Sequence, residues 1–205
     1  MSAGPVVPPG LLASLRLASS PMVLLLRHSD RPHIAPGDSG ESIRLTEAGR
    51  ARAANLRRAL AGEPTWAVSS PLDRCTETAR CLGLEPETST LLGAPGAFVV
   101  DQTRGGDIFG RHGTEAVVRG QILGETWGCM RPLEEGARAL LDWLTAQCDE
   151  RGGLGVAVSH DAIVMPTITW ALGERFEDDW LEPLDGLVLD ADGVVWRGHR
   201  FEVPR

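Results

Sequence analysis

The chain has 205 residues, of which 42% are hydrophobic and 23% charged, a balance that supports a folded core of ordinary size and excludes a disordered or fibrous chain. A net charge of −8 argues against a general polyanion binder, because a nucleic-acid surface needs a net basic face, so any phosphate site has to be local. All 20 basic residues are Arg and Lys is absent, which excludes a P-loop lysine, a Schiff-base lysine, the strand lysine of protein kinases and a Ser-Lys dyad.

The opening stretch "MSAGPVVPPGLLASLRLASSP" has no charged region ahead of a long apolar core. No window reaches the roughly 18 apolar residues of a membrane span, so a cytoplasmic protein without membrane contact is expected. Residues 1–20 read as an N-terminal arm with a short helix at "LLASLRLA", ahead of one domain over 21–205. Residues 22–27 form the first strand, and their unbroken apolar run suits a parallel strand covered on both faces.

Thr46 caps a helix running to about Leu60, with Ala53, Leu56 and Leu60 on one face. "TWAVSS" is a second strand, and "PLDRCTETARCLG" is a helix that Pro71 starts and Gly83 stops. The Gly-rich, charged stretch 92–131 reads as a lid or insertion with a helix near 114–124. Pro132 opens a helix in which Leu133, Ala137, Leu140, Leu141 and Leu144 recur at helical spacing.

"GLGVAVSHD" is another apolar strand, followed by a helix to Leu172 closed by Gly173. "GLVLDADGVVWRGHRF" reads as two strands around an Asp192-Gly193 turn. Strands alternating with helices mean an α/β domain with a mainly parallel sheet. Cys75, Cys81, Cys129 and Cys148 lack Cys-x-x-Cys spacing and read as free thiols rather than disulfides or a zinc site.

In parallel α/β sheets ligands bind beyond the carboxyl ends of the strands. Three such ends carry matching chemistry: Arg27, His28 and Arg31 after the first strand, Arg74 after the second, and Ser159, His160 and Asp161 after the third. Such a set suits phosphoryl transfer through histidine. A neutral imidazole attacks phosphorus, guanidiniums hold the phosphoryl oxygens, and a carboxylic acid protonates the leaving oxygen.

With these residues in place, the sequence resembles the histidine phosphatase superfamily, which includes the cofactor-dependent phosphoglycerate mutases. The family's Arg-His signature matches Arg27-His28, its Ser-x-x-x-x-Arg element falls in "SSPLDRCTETA", its second histidine matches His160, and "LTEAG" at 45–49 resembles the opening of its first helix. "RHSDRPH" and His160-Asp161 resemble the acid-phosphatase branch, although Ser29 replaces its Gly and Pro32 comes one place early.

The resemblance implies a three-layer α/β/α sandwich of the phosphoglycerate mutase type. It implies a phosphatase acting on a small phosphorylated metabolite through a phosphohistidine on His28, with no metal or organic cofactor. Arg27, Arg31 and Arg74 would bind the phosphate, His160 would stabilise the transferring group, and Asp161 would be the general acid. Asp101, Asp107 and Glu115 are the alternative acids, and Arg104, Arg111 and His112 are candidates for a second anionic or sugar contact.

The same residues admit other readings. A mutase passes the phosphoryl group to another hydroxyl, and a catalytically silent member only binds a phosphorylated ligand or partner. A metallohydrolase would use His28, Asp30, His160 and Asp161 as ligands, but the neighbouring arginines would repel the cation. "VLDADGVV" imitates an Asp-x-Asp phosphatase motif, yet it lies too near the end of the chain, and no Cys has an Arg six places on for a cysteine phosphatase. Arg31 could pair with Asp30, His33, His112 and His199 read as loop or surface groups, and "FEDDW" reads as a solvated acidic loop. No oligomeric state follows from the sequence.

Overall fold

The computed structural model of the chain describes residues 7–34, 40–60, 62–173 and 180–204. Strands β1 (Met22–Arg27), β2 (Trp66–Ser69), β3 (Glu87–Thr88) and β4 (Leu154–Ser159) alternate with helices, and β5 (Gly186–Asp190), β6 (Gly193–Trp196) and β7 (His199–Phe201) follow in sequence. All seven join one sheet in the order β3-β2-β4-β1-β5-β6-β7. Pairings from β3 to β1 are parallel and those from β1 to β7 antiparallel. The expected α/β sandwich is therefore present with a mixed sheet, and the C-terminal pair of strands is in fact three, because Gly198 at φ +81° lets the chain turn back once more.

The β1 run is unbroken because both of its faces are covered. Val23 and Leu25 face a core formed with α5 (Thr114–Ile122), α6 (Leu133–Arg151) and α7 (Asp161–Leu172). Leu24 and Leu26 face a second core formed with α1 (Pro9–Leu17), α2 (Glu47–Ala59) and α3 (Asp73–Cys81). All four β1 aliphatics are fully buried, each worth about 1.5–3 kcal/mol of transfer free energy.

Thr46 caps α2 as expected, its Oγ1 accepting from Gly49 N at 2.9 Å. In α6, Ala137, Leu140, Leu141, Leu144 and Cys148 form the buried stripe, while Leu133 is only half-buried. The described part of the 1–20 arm is not loose: α1 packs on β5 and β6, and Arg200 donates to Leu17 O at 3.0 Å. Within the 92–131 stretch, α5 is joined by an unanticipated helix, α4 (Gln102–His112), started by Asp101 accepting from Arg104 N. Residues 176–179 of "FEDDW" lie outside the described residues. The four cysteines are free, three buried and Cys81 half-buried.

Candidate active site

Three strand ends converge because β4 inserts between β2 and β1, which brings Ser69, Ser159 and Arg27 side by side at the carboxyl edge of the sheet. His28 N donates to Ser159 O at 2.8 Å, and Ser70 N to Val158 O at 2.9 Å, so each segment leaves the sheet still tied to its neighbour. The loop after β1 is held by both flanking helices. Ser29 N donates to Thr78 Oγ1 at 3.1 Å, Ser29 Oγ to Gly49 O at 2.8 Å, and Thr46 N to Asp30 O at 3.0 Å. Ser29, standing where the acid-phosphatase signature has Gly, is thereby a fully buried and satisfied hydroxyl.

His28 is 3% exposed, and its Nδ1 lies 2.7 Å from Ser29 O. A carbonyl can only accept, so Nδ1 carries the hydrogen and Nε2 keeps its lone pair in the neutral ring. Burial lowers the His28 pKa to about 3, with Arg74 and Arg27 adding to the shift while the Ser29 carbonyl and Asp161 oppose it. His160, 8% exposed, is pushed well below its ordinary value by burial first and then by His28, Arg74, Arg31 and Arg27. The two rings meet edge to face with centroids 5.4 Å apart. His160 Nε2 lies 2.9 Å from Ser70 Oγ and 3.5 Å from Cys75 Sγ.

Arg27, Arg31 and Arg74 surround this pair. Arg27 Nη2 pairs with Asp161 Oδ2 at 3.2 Å and its Nη1 bonds Leu181 O, while Arg74, 7% exposed, donates through Nη1 to Gly40 O. Burial lowers the pKa of both Arg31 and Arg74, although guanidiniums remain cations. The Nε–H groups of Arg27, Arg31 and Arg74 are all buried without a hydrogen-bond partner. Three orphaned donors on neighbouring cations are costly unless an anion completes them. Oxygens of a phosphoryl group have the charge and lone pairs to do so.

Asp161 is the first residue of α7. Its Oδ1 accepts from Ala162 N at 3.0 Å, and Oδ2 takes Arg27 and the indole Nε1 of Trp180, the latter at 3.2 Å. The alternative acids are engaged elsewhere: Asp101 caps α4, and Asp107 and Glu115 pair with Arg111 and Arg119 on exposed helical turns. Asp30 pairs with Arg52 at 3.4 Å rather than with Arg31. Among the described residues no three His, Cys, Asp or Glu side chains gather as a cation site. Arg111 lies on the exposed face of α4, and His112 rests against Trp127 with centroids 5.0 Å apart.

Sequence reasoning missed several groups that shape the site. Thr78 and Gly49 fix the loop after β1, Ser70 and Gly93 confine His160, and Trp180 and Leu181 hold Asp161 and Arg27. Ser70 and Thr78 lay inside the recognised stretch "SSPLDRCTETA" and Gly49 inside "LTEAG", without a role assigned to them. The others join the site through tertiary contacts that leave no local sequence signal.

Comparison with known proteins finds one family model. Residues 23–92 match the model of the histidine phosphatase superfamily (branch 1), a span that ends before His160 and Asp161. The model matched is that of branch 1, whereas "RHSDRPH" and the His-Asp pair resemble the acid-phosphatase branch. No curated protein matches the chain in sequence.

Solved structures establish the fold, which is of the phosphoglycerate mutase type. A protein from Thermus thermophilus superposes with TM-score 0.53 at 22% identity, over 89% of this chain and 99% of that one. A mycobacterial glucosyl-3-phosphoglycerate phosphatase superposes with TM-score 0.54 at 19% identity, over 91% of this chain and 100% of that one. A phosphoserine phosphatase variant from Entamoeba histolytica, in complex with phosphoserine, superposes with TM-score 0.56 at 17% identity, over 85% and 94%. Among the described residues no helix is long and apolar enough to cross a membrane.

Proposed function

We propose that this chain, which resembles the histidine phosphatase superfamily through residues 23–92, hydrolyses a small phosphomonoester by way of a phosphohistidine on His28. The observation that carries this reading is the set of three buried, unpartnered guanidinium Nε–H groups around a neutral imidazole. That two of the structural neighbours are phosphatases also supports hydrolysis.

In the first step the Nε2 lone pair of His28 forms a bond to phosphorus while the ester P–O bond breaks and its electron pair leaves with the alcohol oxygen. Asp161 supplies the proton that oxygen needs. In the second step a water oxygen attacks the phosphohistidine, Asp161 takes back a proton, and the N–P bonding pair returns to Nε2. Arg27, Arg31 and Arg74 hold the phosphoryl oxygens throughout, and their fixed positive charge offsets what develops in the transition state. His160 adds a donor to the same group once its bond with Ser70 Oγ is exchanged for one to phosphate.

The arginines supply the charge neutralisation that a metal would otherwise bring, so the reaction needs no cofactor, and a surplus of chelator is expected to leave the rate unchanged. Assay of a phosphorylated-metabolite panel, with released phosphate measured beside isomer formation, tests the proposal. Release of phosphate without isomers supports it. Isomer formation would make the chain a mutase, and inertness across the panel would make it a binding protein.

A further inference from the structure

Trp180 lies outside every motif of the site, yet its indole Nε1 donates to Asp161 Oδ2 at 3.2 Å. The ring is held in turn from the lid, where Arg119 of α5 lies 5.6 Å over its centroid and is itself paired with Glu115 at 2.8 Å. The next residues grip Arg27 from both sides: Leu181 O accepts from its guanidinium, Leu184 N donates to Arg27 O at 3.1 Å, and Arg27 N donates to Asp185 O at 3.0 Å. Segment 180–185 therefore holds both members of the Arg27–Asp161 pair.

The two carboxyl oxygens of Asp161 are consequently unequal. Oδ2 faces two donors, Arg27 Nη2 and Trp180 Nε1, whereas Oδ1 meets Ala162 N at 3.0 Å. A carboxylic acid that is to deliver a proton needs one oxygen anchored and, on the other, a lone pair left to carry the proton towards the leaving group. We propose that Trp180 is a positioning residue that anchors Asp161 through Oδ2 and so presents Oδ1 as the oxygen that exchanges the proton. This rests on the general-acid reading of Asp161 given above. Trp180 touches neither the phosphoryl group nor His28; it acts through Asp161, and Arg119 extends that support to the lid.

The test compares Trp180→Phe, Asp161→Asn and the double variant on two substrates, glycerol phosphate, whose alkoxide needs a proton, and p-nitrophenyl phosphate, whose phenolate leaves unaided. Trp180→Phe keeps an aromatic ring, smaller than the indole, and removes the donor. It is expected to lower kcat on glycerol phosphate by roughly tenfold and on p-nitrophenyl phosphate by less than about twofold, with KM little changed, as loss of one hydrogen bond to a charged group predicts. Adding Trp180→Phe to Asp161→Asn is expected to cause no further loss on either substrate. Trp180→His, which restores a ring N–H, is expected to recover part of the rate and is the working variant if Trp180→Phe does not fold.

Equal losses on both substrates in Trp180→Phe, or additive losses in the double variant, would reduce Trp180 to packing and overturn the inference. If Asp161→Asn is selective for the poor leaving group while Trp180→Phe behaves as wild type, the inference alone falls. If Asp161→Asn affects both substrates equally, the acid reading falls and this inference with it.

Discussion

His28 and His160 meet edge to face, 5.4 Å between ring centroids and 69° between planes, and His28 makes it harder for His160 to hold a proton. Because burial has already lowered the His28 pKa to about 3, the pair stays neutral across the pH range in which ordinary histidines charge.

That neutrality makes stability depend on pH. In the unfolded chain both rings titrate near 6.5, so between pH 6.5 and 3 the unfolded state binds more protons than the folded one. The His28 contribution to stability is fully present above pH 6.5 and is lost as the pH falls towards 3, at up to about 1.4 kcal/mol per pH unit, and His160 acts in the same direction. Denaturant melts between pH 4 and 7 should show this slope, and His28→Gln should flatten it. An identical slope in that variant would exclude His28 as a source.

Replacing His28 by Ala should abolish phosphoenzyme and lower turnover by about a thousandfold or more. Acid-quenched mass spectrometry of the wild type with substrate should locate the phosphoryl group on His28. A phosphorylated His160 would reverse the two assignments.

Arg74→Lys should lower kcat/KM by roughly 10- to 100-fold, since a point ammonium replaces a fork of donors and cannot keep both Gly40 O and a phosphoryl oxygen. Steady-state kinetics on any accepted phosphomonoester reads this, and a loss below about twofold would remove Arg74 from the phosphate site.

For Asp161→Asn, the expected mark is dependence on the leaving group: a loss of about 100-fold or more on alkyl phosphates and a much smaller one on aryl phosphates. A plot of log kcat against leaving-group acidity should steepen relative to wild type. Parallel plots would sink the acid role.

Gly93 lies against the second histidine at φ +145°, where a Cβ would come 2.6 Å from His160 Cδ2 and 2.7 Å from Ser70 Oγ. Gly93→Ala should therefore displace His160 and break its bond to Ser70, lowering kcat by at least about tenfold and stability by roughly 1–3 kcal/mol. Wild-type kinetics in this variant would mean that His160 does not need its present position.

The parts of the fold that sequence revealed are those with strong local signals. The β1 and β4 runs are continuous because both faces are buried, α6 repeats Leu at helical spacing, and Thr46 and Gly173 mark helix ends. Helix α4 was hidden because Gly105, Gly106 and Gly110 depress helix propensity, and tertiary packing outweighs them where Gly105 closes on Val99. The antiparallel half was understated because β5, with all five residues buried, reads the same whichever way its neighbour runs.

The site divides the same way. Arg27, His28, Arg31 and Arg74 fall within the span that matches the family model, so their motif was visible in the chain. His160 and Asp161 were visible only as a polar end to an apolar strand. Trp180, Ser70 and Gly93 enter through contacts between residues 19 to 90 positions apart, a range over which one sequence carries no pairing information.

The strand order has a consequence for biosynthesis. Because β4 fills the gap between β2 and β1, a ribosome that has released the first 150 residues has made Arg27, His28, Arg31 and Arg74 but not the strand that lies between the first three and the fourth. The emerging chain then carries an open slot lined by two unpaired strand edges, and the hazard at that stage is association with other chains rather than untimely chemistry. The slot closes only when β4 enters, so a product shortened before residue 154 lacks the strand that joins the Arg27-His28 segment to the Arg74 segment.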